Sequence, residues 1–319
     1  MRFMLVDATN QYIRNWLVNP TLSSNNGPAG GICGTLKTLQ KLSREINPDG
    51  IIFCWDGSGG SSRRKAKNKN YKEGRKPLKM NYESNMTADE SLRNRLWQMS
   101  RLMEYVNQLP IIQFMFDSVE ADDIIAILCR ELKEHQKVIV SADKDFYQLV
   151  DDKTIVLRPV QKQLVTVAKI VDEFAIHPNN FAISRAICGD NSDNMKGIAG
   201  AGLATVAKRF PFLKEPETAT FQMIFEHCKE SQGTVKLYEH ILEEKKLIKD
   251  NYELMQLSCP SVPFHVRQNV QETLQEYPTG FNKTEFKKML FSDGFGCELN
   301  WDDLYVAMNR ISEKQKENQ

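Results

Sequence analysis

Long apolar runs are missing from this chain. Nowhere in its 319 residues is there a stretch near the roughly 20 apolar residues needed to span a bilayer, which excludes a helical membrane protein. The opening, Met1-Arg2-Phe3-Met4-Leu5-Val6-Asp7, turns acidic too early for a signal peptide. Cysteines at metal-binding spacing are missing too. The count is seven, an odd number, with no C-x-x-C pair, which points to a reducing cytoplasm and no structural zinc. Cys54, Cys129 and Cys188 lie in apolar stretches, where a free cysteine acts as a small hydrophobe. There is no internal repeat. What remains, 41% hydrophobic and 26% charged, is a soluble globular composition with enough chain for one large or two ordinary domains.

The net charge of +1 hides an asymmetry. Between Arg63 and Lys79 there are nine Lys or Arg residues against one acid, Glu73, so the remaining chain is acidic on balance. A basic strip beside acidic clusters suits a polyanion that reaches carboxylates through metal ions.

Apolar runs at 2–6, 51–55, 111–116, 137–141 and 154–157 read as strands. Between them, 32–46, 89–107 and 120–134 have helical spacing, with Pro48 and Pro110 at the crossings. Alternating βα units predict an α/β fold, a mainly parallel central sheet flanked by helices. From about 160 onward the pattern is mostly helical, with candidates at 179–188, 202–210, 218–229, 234–256 and 282–291 and a polar tail from Ser312 that is expected to fray. The division expected is 1–160 as an α/β core and 161–319 as a helical part. Residues 57–87, Gly/Ser-rich and then basic, are too long for a plain connection.

Nine acids fall in five stretches, four of them at strand ends. Asp7 closes the first strand and Asp56 the second; Glu120, Asp122 and Asp123 follow the third, and Asp143 and Asp145 the fourth. Strand ends of an open α/β sheet share a rim where ligands bind. One acid at a helix start is ordinarily a cap. Three acids within four residues exceed what capping uses, and coincidence at four strand ends is harder still to assign to caps. Such a cluster needs cations, and Mg²⁺ takes oxygen ligands.

The fifth stretch is Gly189-Asp190-Asn191-Ser192-Asp193-Asn194-Met195-Lys196-Gly197-Ile198-Ala199-Gly200-Ala201-Gly202, flanked by helices. Gly197, Gly200 and Gly202 permit a turn that brings N–H groups to phosphate, with Lys196, Lys208 and Arg209 nearby. A glycine loop alone is a weak signal; joined to Asp190 and Asp193 it is stronger. The basic strip, including Arg63, Arg64, Lys65, Lys72 and Arg75, is as a class often a solvated loop, but this one follows an acidic strand end. Tyr71 and Tyr82 would add faces on which a base can stack.

Together these stretches resemble the flap endonuclease / 5′-nuclease superfamily, with a layout like the phage-type 5′-to-3′ exonucleases, including the phage enzymes called ribonuclease H. The resemblance rests on Asp7, Trp55-Asp56-Gly57, Glu120-Ala121-Asp122-Asp123, Asp143-Lys144-Asp145 and Gly189-Asp190-x-x-Asp193-Asn194-x-x-Gly197-x-x-Gly200-x-Gly202, over roughly 3–210. It implies two Mg²⁺ ions, with Mn²⁺ able to substitute. Asp7, Asp56, Glu120 and Asp122 would hold the first and Asp143 would bridge; Asp145, Asp190 and Asp193 would serve the second, and Asp123 would bind through water. It also implies a helix-three-turn-helix near 183–210 gripping the duplex, with K⁺ in its loop, and an arch over 57–87. There Tyr71-Lys72-x-x-Arg75 would place Lys72 and Arg75 on the scissile phosphate, preceded by either Arg63 or Arg64. The Gly/Ser-rich approach to the arch would leave it disordered without DNA.

The expected activity is two-metal hydrolysis of phosphodiester bonds at 5′ ends, flaps and single-strand/duplex junctions of DNA or RNA primers, with ions ~3.5–4 Å apart. Expected partners are branched or 5′-ended DNA and RNA–DNA duplex, and a single-strand-binding protein, polymerase or sliding clamp, for a monomer in a phage-infected or bacterial cell. The rival is a non-catalytic binder of branched DNA on the same fold, whose mark would be missing acids. A PIN-type ribonuclease would lack the glycine turn and arch. A haloacid-dehalogenase-like phosphatase would need Asp-x-Asp at the first strand, where Asp7 is followed by Ala8-Thr9.

Overall fold

Strands covered on both faces read as unbroken apolar runs. The first, Arg2–Asp7 (β1), has five of its six residues buried. In the computed structural model, which describes residues 1–24, 26–74, 78–82, 86–295 and 299–318, it is joined by Gly50–Cys54 (β2), Ile112–Phe114 (β3), Gln136–Val140 (β4), Thr154–Arg158 (β5) and Gln163–Val165 (β6). The sheet order is β3-β2-β1-β4-β5-β6. Every pairing is parallel except β5 with β6. β6 was not expected: three residues after a tight turn are too few to show alternation.

The chain winds outward from β1 to β2 and β3, then crosses to the other side of β1 to lay down β4. That reversal beside β1 is where open α/β sheets form a crevice at their carboxyl ends. The register sets the rim. Asp7 lies opposite Cys54, and Val6 opposite Val140, so Asp56 and Asp143 both fall just past the end of the sheet.

Helices Ala8–Val18 (α1), Gly30–Ile46 (α2), Ser62–Lys67 (α3), Ala88–Val106 (α4) and Ala121–Glu131 (α5) belong to the βα part. Thr87 and Glu90 form a reciprocal capping box at the start of α4. The rest is helical: Val167–Phe174 (α6), Phe181–Cys188 (α7), Leu203–Arg209 (α8), Phe221–Glu230 (α9), Lys236–Glu243 (α10), Lys245–Met255 (α11), Phe264–Gln275 (α12), Lys283–Ser292 (α13) and Trp301–Asn318 (α14). The expected single helix over 234–256 is broken at Glu244, between α10 and α11.

The expectation of a fraying tail fails. Ser312 and Gln315 are buried, and they donate hydrogen bonds to the carbonyls of Thr279 and Asp49. One hydrophobic cluster runs from Phe3 through the helical part to Ile311. β3 begins at Ile112, opposite Ile52, and does not reach Ile51. There the buried Tyr277 hydroxyl accepts from the Ile51 N–H (2.6 Å) and donates to the Ile51 carbonyl (2.8 Å). Cys54, Cys129, Cys188, Cys228 and Cys259 are free thiols. Cys33 is disulfide-bonded. Among the described residues no helix is long and apolar enough to cross a membrane.

Candidate active site

A cavity of about 500 Å³ opens at the carboxyl end of the sheet. Eight of the nine predicted acids line it: Asp7, Asp56, Glu120, Asp122, Asp143, Asp145, Asp190 and Asp193. They come from all five sequence stretches. Asp123 is the exception. It is buried beside the cavity and paired with Arg63 (3.3 Å) and Arg64 (3.2 Å).

Local hydrogen bonds explain how the rim is held. Asp7 ends β1, caps α1 through the Asn10 N–H (3.2 Å), and accepts from the Ser141 hydroxyl (2.9 Å). Ser141, 1% exposed, also takes the Asp143 N–H (3.1 Å), so one hydroxyl ties the ends of β1 and β4. Asp56 accepts from the Ala121 N–H at 2.8 Å. It thus supplies a side-chain acceptor at the start of α5 from another strand, where Glu120 at the N-cap makes no such bond. The capping role considered for the acids at this helix start is largely filled from outside, and the Glu120 carboxylate faces the cavity instead.

Crowding shows in the protonation behaviour. Burial, then the charges of Asp56 and Asp143, pushes the Asp7 carboxyl well above the usual range. Burial also raises Asp56 and Asp143, with Asp122 adding to both. Asp145 is pushed up to about 7, first by burial and then by Asp143. Burial raises Asp190 as well, but its Ser192 hydrogen bonds and the Arg185 charge outweigh that and leave it below its ordinary value.

Among the described residues, Arg64, Lys72 and Arg185 pair with these acids. Arg64, with a side chain 12% exposed, pairs with Glu120, Asp122 (3.0 Å) and Asp123 (3.2 Å). Lys72 pairs with Glu120. Arg185 joins Asp145 (3.2 Å) to Asp190. Arg64 lines the cavity, whereas Arg63 donates to the carbonyls of Ser118 and Ser261 and pairs with Asp123 beside it, so of the two it is Arg64 that faces the cavity acids. Among the described residues no three acidic, His or Cys side chains converge tightly enough to hold an ion as placed. Glu120 and Asp122 are drawn to Arg64 and Lys72 instead.

The donor set nonetheless fits hard divalent ions. It is all carboxylate, and it holds more negative charge than these cations neutralise. Asp56 feels the charges of Asp122 and Glu120, Asp143 those of Asp122 and Asp193, and Asp145 those of Asp143, Asp190 and Asp122, so the acids act on one another across the cavity.

The basic strip is partly corrected. Tyr71 is 4% exposed and packs with Met195, Leu254 and Met255, so its ring anchors the strip and presents no open face to a base. Lys65 is exposed. Residues 57–74 are folded, with α3 at their centre. Arg75 lies outside the described residues, as do 76–77 and 83–85 of the expected arch. The predicted helix-turn-helix appears as α7, the turn 189–202 and α8. A side chain at Gly197 would meet the Cys188 carbonyl at 1.9 Å, and Gly200 has φ +79, so both need glycine; Gly202 has open space around it. Lys196, Gly200, Gly202 and Lys208 are exposed and Arg209 is half-buried.

The sequence reading missed Ser141 and Arg185. A lone arginine in the last turn of α7 has an ordinary reading as a helix C-terminal cation.

Sequence comparison agrees with this architecture. The family profile described as 5′-3′ exonuclease, N-terminal resolvase-like domain, matches residues 2–175. A 5′-3′ exonuclease of Buchnera aphidicola is 32% identical over 219 residues, covering 66% of this chain and 71% of that protein. The thermostable DNA polymerase I of Thermus aquaticus is 32% identical over 210 residues, 65% of this chain but 23% of that polymerase. Among solved structures, the bacteriophage T5 flap endonuclease, in a pseudo-enzyme–product complex with DNA and metal ions, superposes with a TM-score of 0.64 at 17% identity, covering 96% of this chain and 99% of that one. A sheet with its acids gathered at the switch point defines a nuclease-like α/β protein, and the matches are to the same class. The chain belongs to the 5′-3′ exonuclease family.

Proposed function

We propose that this chain is a structure-specific 5′-nuclease that hydrolyses phosphodiester bonds at 5′ ends, flaps and single-strand/duplex junctions of DNA or RNA primers, with Mg²⁺ held by the acidic cavity. The observation that carries the reading is the meeting of eight carboxylates from five stretches in one cavity, with Arg64 and Lys72 at its edge. The non-catalytic alternative predicts gaps in that set; eight of the nine expected acids line the cavity, and the ninth, Asp123, is buried beside it.

Divalent ions bound there would supply an acidified water and charge stabilisation at the leaving oxygen. Asp7, Asp56, Glu120 and Asp122 would hold one, and Asp145, Asp190 and Asp193 the other, with Asp143 between them. Mn²⁺, with the same preference for oxygen, would substitute. The chain's own residues do the rest. Lys72 and Arg64 leave Glu120 and Asp122 for the phosphate as substrate and ions arrive, placing fixed positive charge where negative charge grows. The exposed Lys196 and Lys208, with the N–H groups of the glycine turn, bind the duplex backbone and leave the bases unread. Binding therefore falls with salt and depends little on sequence. In this reading 161–319 supplies the duplex grip together with Asp190 and Asp193, and 1–160 supplies the rest of the chemistry.

The test is a product-length assay on end-labelled 5′-flap, nicked and RNA-primed duplexes in Mg²⁺. Wild type should release 5′ products and stop reversibly in EDTA. Asp122→Asn should bind the flap and cut it at least about 100-fold more slowly, the loss expected when the ion that Asp122 would hold no longer stabilises the developing charge. Normal cutting by that variant, or cutting that survives EDTA, sinks the scheme.

A further inference from the structure

The strip that carries Lys72 is seated on the turn after α7. The Lys72 N–H donates to the Asp193 carbonyl (2.9 Å), and the Asn194 side-chain amide donates to the Asn70 carbonyl (2.9 Å). Between these two bonds, Tyr71 fills an apolar socket made by Met195, Leu254 and Met255. Lys67 pairs with Glu253 of α11 at 2.9 Å. Two residues here are left-handed: Lys72 at φ +56 and Asn194 at φ +55. Asparagine tolerates that conformation; a lysine adopts it only where neighbours impose it. The conformation of Lys72 is imposed from both sides, by the bond at its own amide and by the bond two residues earlier.

We propose that Asn194 is a positioning residue for phosphodiester cleavage: its amide locks the Asn70–Lys72 turn so that Lys72 reaches the acidic cavity, and it makes the glycine turn and the basic strip one mechanical unit. The inference rests on the nuclease reading above. It adds that engagement of duplex by the turn is transmitted to Lys72 through Asn194, because the residues that hold the strip, Asp193 and Asn194, belong to the same turn, 189–202, as Gly197, Gly200 and Gly202. Asn194 itself touches neither phosphate nor ion. Its effect runs through the ammonium group it aims.

Two substitutions separate geometry from bonding. Asn194→Gly keeps the left-handed backbone and removes the donor. Asn194→Asp keeps the local turn preference and sets an acceptor against the Asn70 carbonyl. With the full chain, single-turnover cleavage of a 5′-flap duplex in Mg²⁺ should slow about fivefold in both, the worth of one such hydrogen bond. The Kd for the same flap in Ca²⁺ should stay within about twofold, and hydrogen exchange at the Lys72 amide should quicken about as much as cleavage slows. In a Lys72→Ala background, Asn194→Asp should bring no further loss of rate. A loss that multiplies with Lys72→Ala, a Kd that rises in step with the rate loss, or an unchanged rate despite faster exchange would each overturn the role. Failure of wild type to cut the flap is a different result: it removes the nuclease reading and the role of Lys72 with it, while the exchange arm still reports whether Asn194 holds the turn.

Discussion

Replacing Arg64 with glutamine should cost the metal-free protein far more than the metal-loaded one. Its guanidinium is 12% exposed and lies among three carboxylates, Glu120, Asp122 and Asp123. Removing one partner of a buried ion pair costs ~3–5 kcal/mol, because the other charge stays behind. Lys72 still faces Glu120 and Arg63 still faces Asp123, so the lower figure applies. Unfolding entropy near ~2.1 cal/mol/K per residue over 319 residues is ~0.67 kcal/mol/K. A loss of ~3 kcal/mol then lowers Tm by about 4–5 °C in EDTA. A divalent ion at 100 times its Kd returns ~2.7 kcal/mol to wild type. The variant should gain more than this, since no guanidinium has to be displaced. The deficit should therefore shrink to under about 2 °C in saturating Mg²⁺. Thermal unfolding followed by circular dichroism reads both conditions. Arg44→Gln is the control: its pair with Asp303 is 62% exposed on the arginine side and is worth under ~1 kcal/mol in either buffer. A deficit of equal size in EDTA and in Mg²⁺ would show Arg64 to be an ordinary structural cation and refute the exchange of charge.

Two further outcomes can be checked. Asp145 and Asp123 are held near 7 in the fold against an ordinary 3.8, so the folded chain binds more protons than the unfolded chain between those values. Stability without metal is therefore full below about pH 4 for these two groups and is lost as pH rises through 7. Tm in EDTA should fall between pH 5 and pH 8, and Mg²⁺ should flatten the slope; a Tm that climbs over that range contradicts the shifts. Tyr277→Phe removes the only hydroxyl described at the Ile51 N–H and carbonyl, leaving buried backbone groups short of partners. Urea unfolding should show a loss of about 2–4 kcal/mol with flap affinity unchanged; a loss below about 0.5 kcal/mol would mean that those groups find other partners.

Much of the site was legible because its residues repeat one motif in one kind of place. Asp7, Asp56, Asp122 and Asp143 each follow an apolar run, and parallel register then makes convergence a matter of geometry. Arg185 and Ser141 carry no such signal. Each is a common residue whose neighbours become visible only when α7 and β4 are packed. Tyr71 was misread for the reverse reason. An aromatic in a basic run suggests an exposed platform, but Met195, Leu254 and Met255 come from distant segments to cover it. The fold shows the same division. Five strands were readable from apolar runs, whereas β6 is short and depends on pairing with β5. The tail from Ser312 was misjudged because polar residues that satisfy backbone carbonyls are buried as readily as apolar ones.

The junction at Tyr277 lies toward the amino-terminal end of β2, the opposite end of the sheet from the carboxylates. A fragment stopped after α8 would retain every acid of the rim and all of the glycine turn. It would also strip Val266, Val270, Leu304, Met308 and Ile311 from the shared hydrophobic cluster. Trimming such a chain to its chemistry therefore leaves the reactive groups in sequence but without the floor that keeps them apart, so a minimal version needs redesigned surfaces beneath α2 and α5.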